Sequence, residues 1–152
     1  MDEDGFLNQV LLGRRDAVLV CRMLGNISQT WDDLIDGDAV TAERVHNAFT
    51  DALLRLPALP FWQEHYAELQ PLIRQAVIDW HTANTFEREA SQSDKPNEHE
   101  LMLGFVLRDS LIALTTHCAY LVGGHEHAIS VAPEIRRYFH DESIQEYIGG
   151  LQ

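Results

Sequence analysis

The sequence predicts an all-α, single-domain bundle of five or more helices over residues 1–152, with a buried central helix at about 97–121. Three observations lead there. Apolar residues recur at helical spacing along most of the chain. No run alternates in the manner of a strand. Leu101 to Leu114 is apolar nearly all round, as expected of a helix surrounded by others. A chain of 152 residues is about one domain, large enough to bury a core without a disulfide or metal staple.

The first helix is expected from Phe6 or Asn8 to Asp36, with Gly37 as its C-terminal stop and with Gly13 and Gly25 weakening its interior. The second starts after Thr41, an N-cap residue type, carries Glu43 in its first turn, and ends at Leu56-Pro57. The third begins near Phe61 or Pro71 and runs to about Glu89, with Pro71 as a kink or a fresh start. Ser91 to Asn97 is the clearest loop. The central helix follows and stops at Gly123-Gly124. Shorter helices are expected near His125–Val131, Pro133–His140 and Glu142–Ile148.

The formal net charge is −13, and Lys95 is the only lysine among 11 basic residues. That balance argues against binding to a nucleic-acid backbone, which needs clustered positive charge. It favours cation binding or a basic protein partner. Leu101–Gly124, the longest apolar run, is interrupted by Arg108, Asp109 and His117, so no membrane span is expected. No signal peptide is evident. A cytoplasmic location follows as the expectation, with Cys21 and Cys118 as buried free thiols and a disulfide between them as the alternative.

The most informative stretch is Trp31-Asp32-Asp33-Leu34-Ile35-Asp36. Asp32 and Asp36 are four apart and stack on one side of a helix, where like charges repel. They also occupy the helix C-terminus, the unfavourable end of the macrodipole for acids. A divalent cation would remove both penalties. In the third helix the apolar stripe Leu69, Leu72, Ile73, Ala76, Val77, Trp80 and Ala83 continues as Asn84 and Glu87, so a core-facing side turns polar in its last turns. If the helices alternate in direction, the C-terminal ends of the first and third lie together. Asp32, Asp33, Asp36, Asn84 and Glu87 then form a candidate metal site, and such oxygen ligands suit Mg2+ or Mn2+. Arg22, Gln29, Arg88 and Arg108 are the candidate ligand-binding residues beside it, with a buried ion-pair network as the plainer role for Arg108 and Asp109. The adjacent residues His117 and Cys118 point to different faces. His125-Glu126-His127 and His140-Asp141 lack the further residues that a zinc or phosphohydrolase motif requires.

Asp32-Asp33-Leu34-Ile35-Asp36 resembles the Asp-Asp-x-x-Asp motif of class I isoprenoid synthases, including the squalene and phytoene synthase branch. The resemblance implies an all-helical bundle in which Asp32, Asp33 and Asp36 hold magnesium ions that grip a substrate diphosphate. The specific match covers Trp31 to Asp36. A second resemblance is to small, acidic, uncharacterised tailed-bacteriophage proteins, through Trp80-His81-Thr82-Ala83-Asn84 and Gly123-Gly124-His125-Glu126-His127. It implies an accessory or host-interaction role. Two expectations follow: a metal-dependent site that binds or acts on a diphosphate-bearing small molecule, or a non-enzymatic acidic helical protein that meets a basic partner.

Overall fold

The computed structural model describes residues 1–151; Gln152, the last residue of the expected domain, lies outside the described residues. The chain is an all-α bundle, and its first expected helix is two. Helix α1 (Glu3–Val10) ends where Leu12 and Gly13 take positive φ, at 54° and 76°. The Gly13 N–H returns to the Asn8 carbonyl, so the glycine closes a helix instead of weakening one. Helix α2 (Arg15–Asp36) stops at Gly37, whose left-handed φ of 78° turns its N–H back to the Asp33 and Leu34 carbonyls.

Thr41 caps α3 (Ala42–Thr50) by accepting from the Arg44 N–H. The helix then widens into a π-helical turn (Asp51–Arg55) and runs into the short α4 (Leu56–Ala58). The widened turn lies just ahead of Pro57, whose ring would clash with the carbonyl four residues back in regular α geometry. The chain becomes extended at Leu59, before Pro60, not at Leu56 as the sequence predicted.

Helix α5 (Pro60–Ser91) is one long helix that Pro71 does not interrupt. It is the central packing element: α2, α4, α6 (Glu98–Leu107) and α7 (Ile112–Gly123) all lie against it. The segment expected as one central helix is therefore split into α6 and α7, bent by 41°. The cause is the polar triplet at the break. Arg108 bonds Asn84 and Glu87, Ser110 Oγ donates to Asp79 at 2.6 Å, and Asp109 pairs with His140. Those side-chain partners hold Arg108–Leu111 in tight turns. The all-round apolarity of α6 does not make it central either: Met102, Leu103 and Val106 are exposed.

Helix α8 (His125–Phe139) runs through Pro133 without ending, and α9 (Ile144–Gly150) opens on a capping box between Ser143 and Glu146. The core gathers Leu7, Val10, Leu11, Val18, Val20, Phe61, Leu69, Leu114 and Ile135. Cys21 and Cys118 are free and buried within it. They meet: the hydrogen bond that the Cys118 thiol donates to Cys21, then burial, pushes the Cys118 thiol well above the usual range. No single helix among the described residues is long and apolar enough to cross a membrane.

Candidate functional site at the shared end of two parallel helices

Helices α2 and α5 run in the same direction. The Asp16 carboxylate near the start of α2 accepts from the Phe61 N–H at the start of α5, at 2.8 Å. Near the other end, Trp80 Nε1 donates to Asp32 Oδ1 at 3.0 Å. The acidic end of α2 and the polar last turns of α5 therefore share one end of the bundle. The sequence required that arrangement for a common site.

Arg108, from the α6–α7 break, lies at the centre of this end. Its Nη1 donates to Asn84 Oδ1 at 3.0 Å and its Nη2 to Glu87 Oε2 at 3.2 Å, and Nη2 lies 3.5 Å from Asp32 Oδ1. The other Glu87 oxygen accepts from the buried Tyr147 hydroxyl of α9. Burial, then the Glu87 carboxylate, pushes the Tyr147 hydroxyl above the ordinary tyrosine range. Among the expected site residues, Asp32, Asn84, Glu87 and Arg108 thus converge. The ion pairs are partly screened from water, with side-chain exposures of 20% for Arg108 and 14% for Glu87.

Asp33 points elsewhere. It accepts from Arg44 Nη2 of α3 at 2.8 Å and from Gln29 Nε2 at 2.9 Å. The Arg44 guanidinium, then Gln29, holds its carboxyl below the usual range. Gln29 thereby serves Asp33. Arg22 pairs with Asp4 at 3.0 Å, far along the helix from the acidic end. Among the described residues the Arg88 side chain bonds only the Thr85 hydroxyl, at 3.4 Å, but it opens onto the same cleft as Asp36, Asn84 and Glu87. Trp31 and Trp80 also line that cleft, of about 580 Å³.

Asp36 behaves oppositely to Asp33. Burial, then the neighbouring Asp32 charge, raises its carboxyl above the usual range, and Glu87 and Asp38 add to the effect against Arg108. The cluster therefore has one guanidinium among Asp32, Asp36 and Glu87. As arranged, no group of three or more histidine, cysteine or carboxylate side chains among the described residues is placed to hold a metal ion.

The other sequence candidates have structural partners. His127 Nε2 lies 2.7 Å from the Val10 carbonyl, His117 contacts Glu68, and His140 bridges Asp109 and Arg136. Burial raises the Asp109 carboxyl, with His140 and Arg108 pulling the other way. Sequence reasoning missed Trp80 and Tyr147. Trp80 stands one turn before Asn84 on the same stripe, which is a usable signal; nothing local marks Tyr147.

No protein-family model matches this chain, and comparison with curated proteins and with solved structures yields no match. What the site can do therefore has to come from its own chemistry.

Proposed function

We propose that the chain is a non-enzymatic acidic interaction protein whose partner is a basic protein. The disposition of its arginines carries this reading. Arg14, Arg15, Arg22, Arg44, Arg55 and Arg108 each pair with carboxylates of the same chain. More than half of the scarce arginines are thus engaged within the chain, and the net −13 leaves a surplus of acids to face a partner. A field of one sign steers oppositely charged partners and speeds their association. At the end of α2 the surplus frames apolar surface: Leu34 and Ile35 are exposed beside Asp36 and Asp38. The resemblance to small tailed-bacteriophage proteins fits a host-interaction role for such a surface.

The test presents a bacterial protein extract to the immobilised chain and to the triple variant Asp36→Asn, Asp38→Asn, Glu43→Gln, at low and at high salt. Basic proteins should be retained at low salt, released as salt rises, and lost with the variant. Retention indifferent to salt, or equal retention by the variant, overturns the reading.

A second reading rests on the cleft shared by Asp36, Asn84, Glu87 and Arg88. A magnesium or manganese ion there would relieve the repulsion that raises the Asp36 carboxyl, and Arg88 with Arg108 would face a diphosphate, as the Asp-Asp-x-x-Asp resemblance implies. It requires Arg108 to release Asp32 or Glu87. Melting with each ion alone, and then with pyrophosphate, tests it. A native-state ligand at 100 times its dissociation constant adds about 2.7 kcal/mol. Flat melting curves with both ions remove this reading and leave the first.

A further inference from the structure

The chain has two cysteines, Cys21 on α2 and Cys118 on α7, and the fold brings them into contact. The Cys118 thiol donates a hydrogen bond to the Cys21 sulfur. Sulfurs at that range come within bonding reach of each other after small side-chain rotations. Both are free, and both belong to the core shared by α2, α5 and α7. Packing alone asks only for small apolar side chains at these positions, and does not require the two thiols to be neighbours.

The two sulfurs differ in access. Cys118 is fully buried, whereas Cys21 keeps 9% of its surface. Cys21 is part of the wall of a second cavity, of about 440 Å³, between α2, α5 and α7, and Cys118 lies behind that wall. Gly25 stands one turn after Cys21 on the same face of α2 and lines the same cavity. Its φ is not positive, and a Cβ built on it meets nothing within 4 Å, so neither turn geometry nor close packing requires glycine there. The missing side chain leaves the cavity open one turn from the Cys21 sulfur.

We propose that Cys21 and Cys118 form a peroxide-oxidisable dithiol: a small peroxide enters the cavity and oxidises Cys21, and Cys118 closes the product as a disulfide that locks α2 to α7. The Cys21 sulfur attacks one oxygen of hydrogen peroxide. The O–O bond breaks, hydroxide leaves and takes the Cys21 proton as water, and Cys21 becomes a sulfenic acid. The Cys118 sulfur then attacks the Cys21 sulfur. The S–S bond forms, the S–O bond breaks, and the sulfenic hydroxyl leaves with the Cys118 proton as a second water. The two thiols lose two electrons in all, and the peroxide gains them. The cross-link closes a long loop and so restricts the unfolded chain. Cys21 stands about four turns before Asp36, roughly 22 Å along α2, so the dithiol is independent of the acidic surface assigned to a basic partner.

The test exposes the folded chain to hydrogen peroxide and reads intact mass, non-reducing gel mobility and melting. The monomer should lose the mass of two hydrogens and migrate faster, and dithiothreitol should reverse both. Oxidation should raise the melting temperature by roughly 5–10 °C. Cys118→Ala should stop at the sulfenic acid, captured at Cys21 by dimedone. Cys21→Ala should leave Cys118 unlabelled under the same exposure. Gly25→Leu fills the approach and should slow oxidation severalfold. Circular dichroism checks that each variant is folded, and Cys118→Ser or Cys21→Ser replaces an alanine variant that is not. The parent measurements decide even if no variant folds. Thiols that survive peroxide in the folded parent and oxidise only in denaturant would overturn the proposal. So would disulfides formed between chains, dimedone labelling of Cys118 equal to that of Cys21, an unchanged rate in folded Gly25→Leu, or melting that oxidation does not raise.

Discussion

Two carboxylates tie α2 to α5, one at each end of the pair, and their surroundings are opposite in kind. At the starting end Asp16 accepts from Arg14 Nε at 2.7 Å, from the Phe61 N–H at 2.8 Å and from its own neighbour Ala17 N–H at 3.1 Å. Donors there outnumber the charge they serve. Burial alone would raise the Asp16 carboxyl, but Arg14 and the two backbone N–H groups outweigh it and hold the group below the usual range. Because α5 has no side-chain cap of its own and opens on Pro60, Asp16 serves as its cap from another helix. At the far end the balance reverses. One guanidinium serves Asp32 and Glu87, while Asp36 is left among like charges. The same residue type is a structural joint where donors are in excess, and a source of surface charge where acids are in excess.

Arg108→Met should break the far end most severely. It leaves Asp32 and Glu87 without a counter-charge, and because both keep some solvent the loss should be about 2–3 kcal/mol, below the 3–5 of a fully buried pair. Denaturant unfolding measures it. Freed of the guanidinium, the cluster should also gain a magnesium- or manganese-dependent melting shift larger than any the parent chain shows. A shift already present in the parent would favour the cation reading.

At the starting end, Asp16→Ala should cost about 1–3 kcal/mol, because the Phe61 N–H loses its acceptor in a half-buried position. Asp16→Asn keeps an acceptor oxygen and should recover part of the loss. An Asp16→Ala variant as stable as the parent would show that the joint is incidental.

Gly25→Ala, in the α2 segment between the two ends, should raise stability by about 0.5–1 kcal/mol, since helix propensity improves and no neighbour is met. Destabilisation would show that the space beside Gly25 is occupied. The smallest expected effect is at Asp36. Asp36→Asn should stabilise the chain at neutral pH by a few tenths of a kcal/mol, roughly the size of one like-charge contact on a helix.

Acid separates the two ends by sign. The lowered Asp16 contributes stability that is complete above the ordinary value of 3.8 and is lost as pH falls through its depressed folded value. The raised Asp36 does the reverse: its penalty is full above its folded value and disappears as pH falls from there toward 3.8. The advantage of Asp36→Asn should therefore vanish on acidification before the Asp16 joint begins to weaken. Stability measured against pH for the parent and both variants checks the order.

Much of this molecule was legible along the chain. The helical class, the Thr41 cap, the Gly37 stop and the polar turn of the α5 stripe at Asn84 and Glu87 were all readable in the sequence. Even the meeting of Asp32 with the end of α5 followed from helix direction. The breaks at Leu12-Gly13 and Arg108–Leu111 were not legible. At Gly13 a glycine stop and a glycine within a helix look alike without the bond to Asn8. At Arg108 the break depends on carboxylates supplied by other helices.

Caps, stops and periodicity are relations between residues a few positions apart, so local sterics and backbone hydrogen bonding determine them before the chain collapses. What each carboxylate does is a relation across the fold. Asp16 meets the Phe61 N–H 45 positions away, Asp32 meets Trp80 48 away, and Glu87 meets Arg108 21 away. An Asp-Asp-x-x-Asp stretch presents the same charges whether a cation, a solvent shell or an arginine stands opposite. Only the packing of α2, α5 and the α6–α7 break placed Arg108 there, because the energy of a charge depends on the groups within a few ångströms of it and not on its neighbours in sequence.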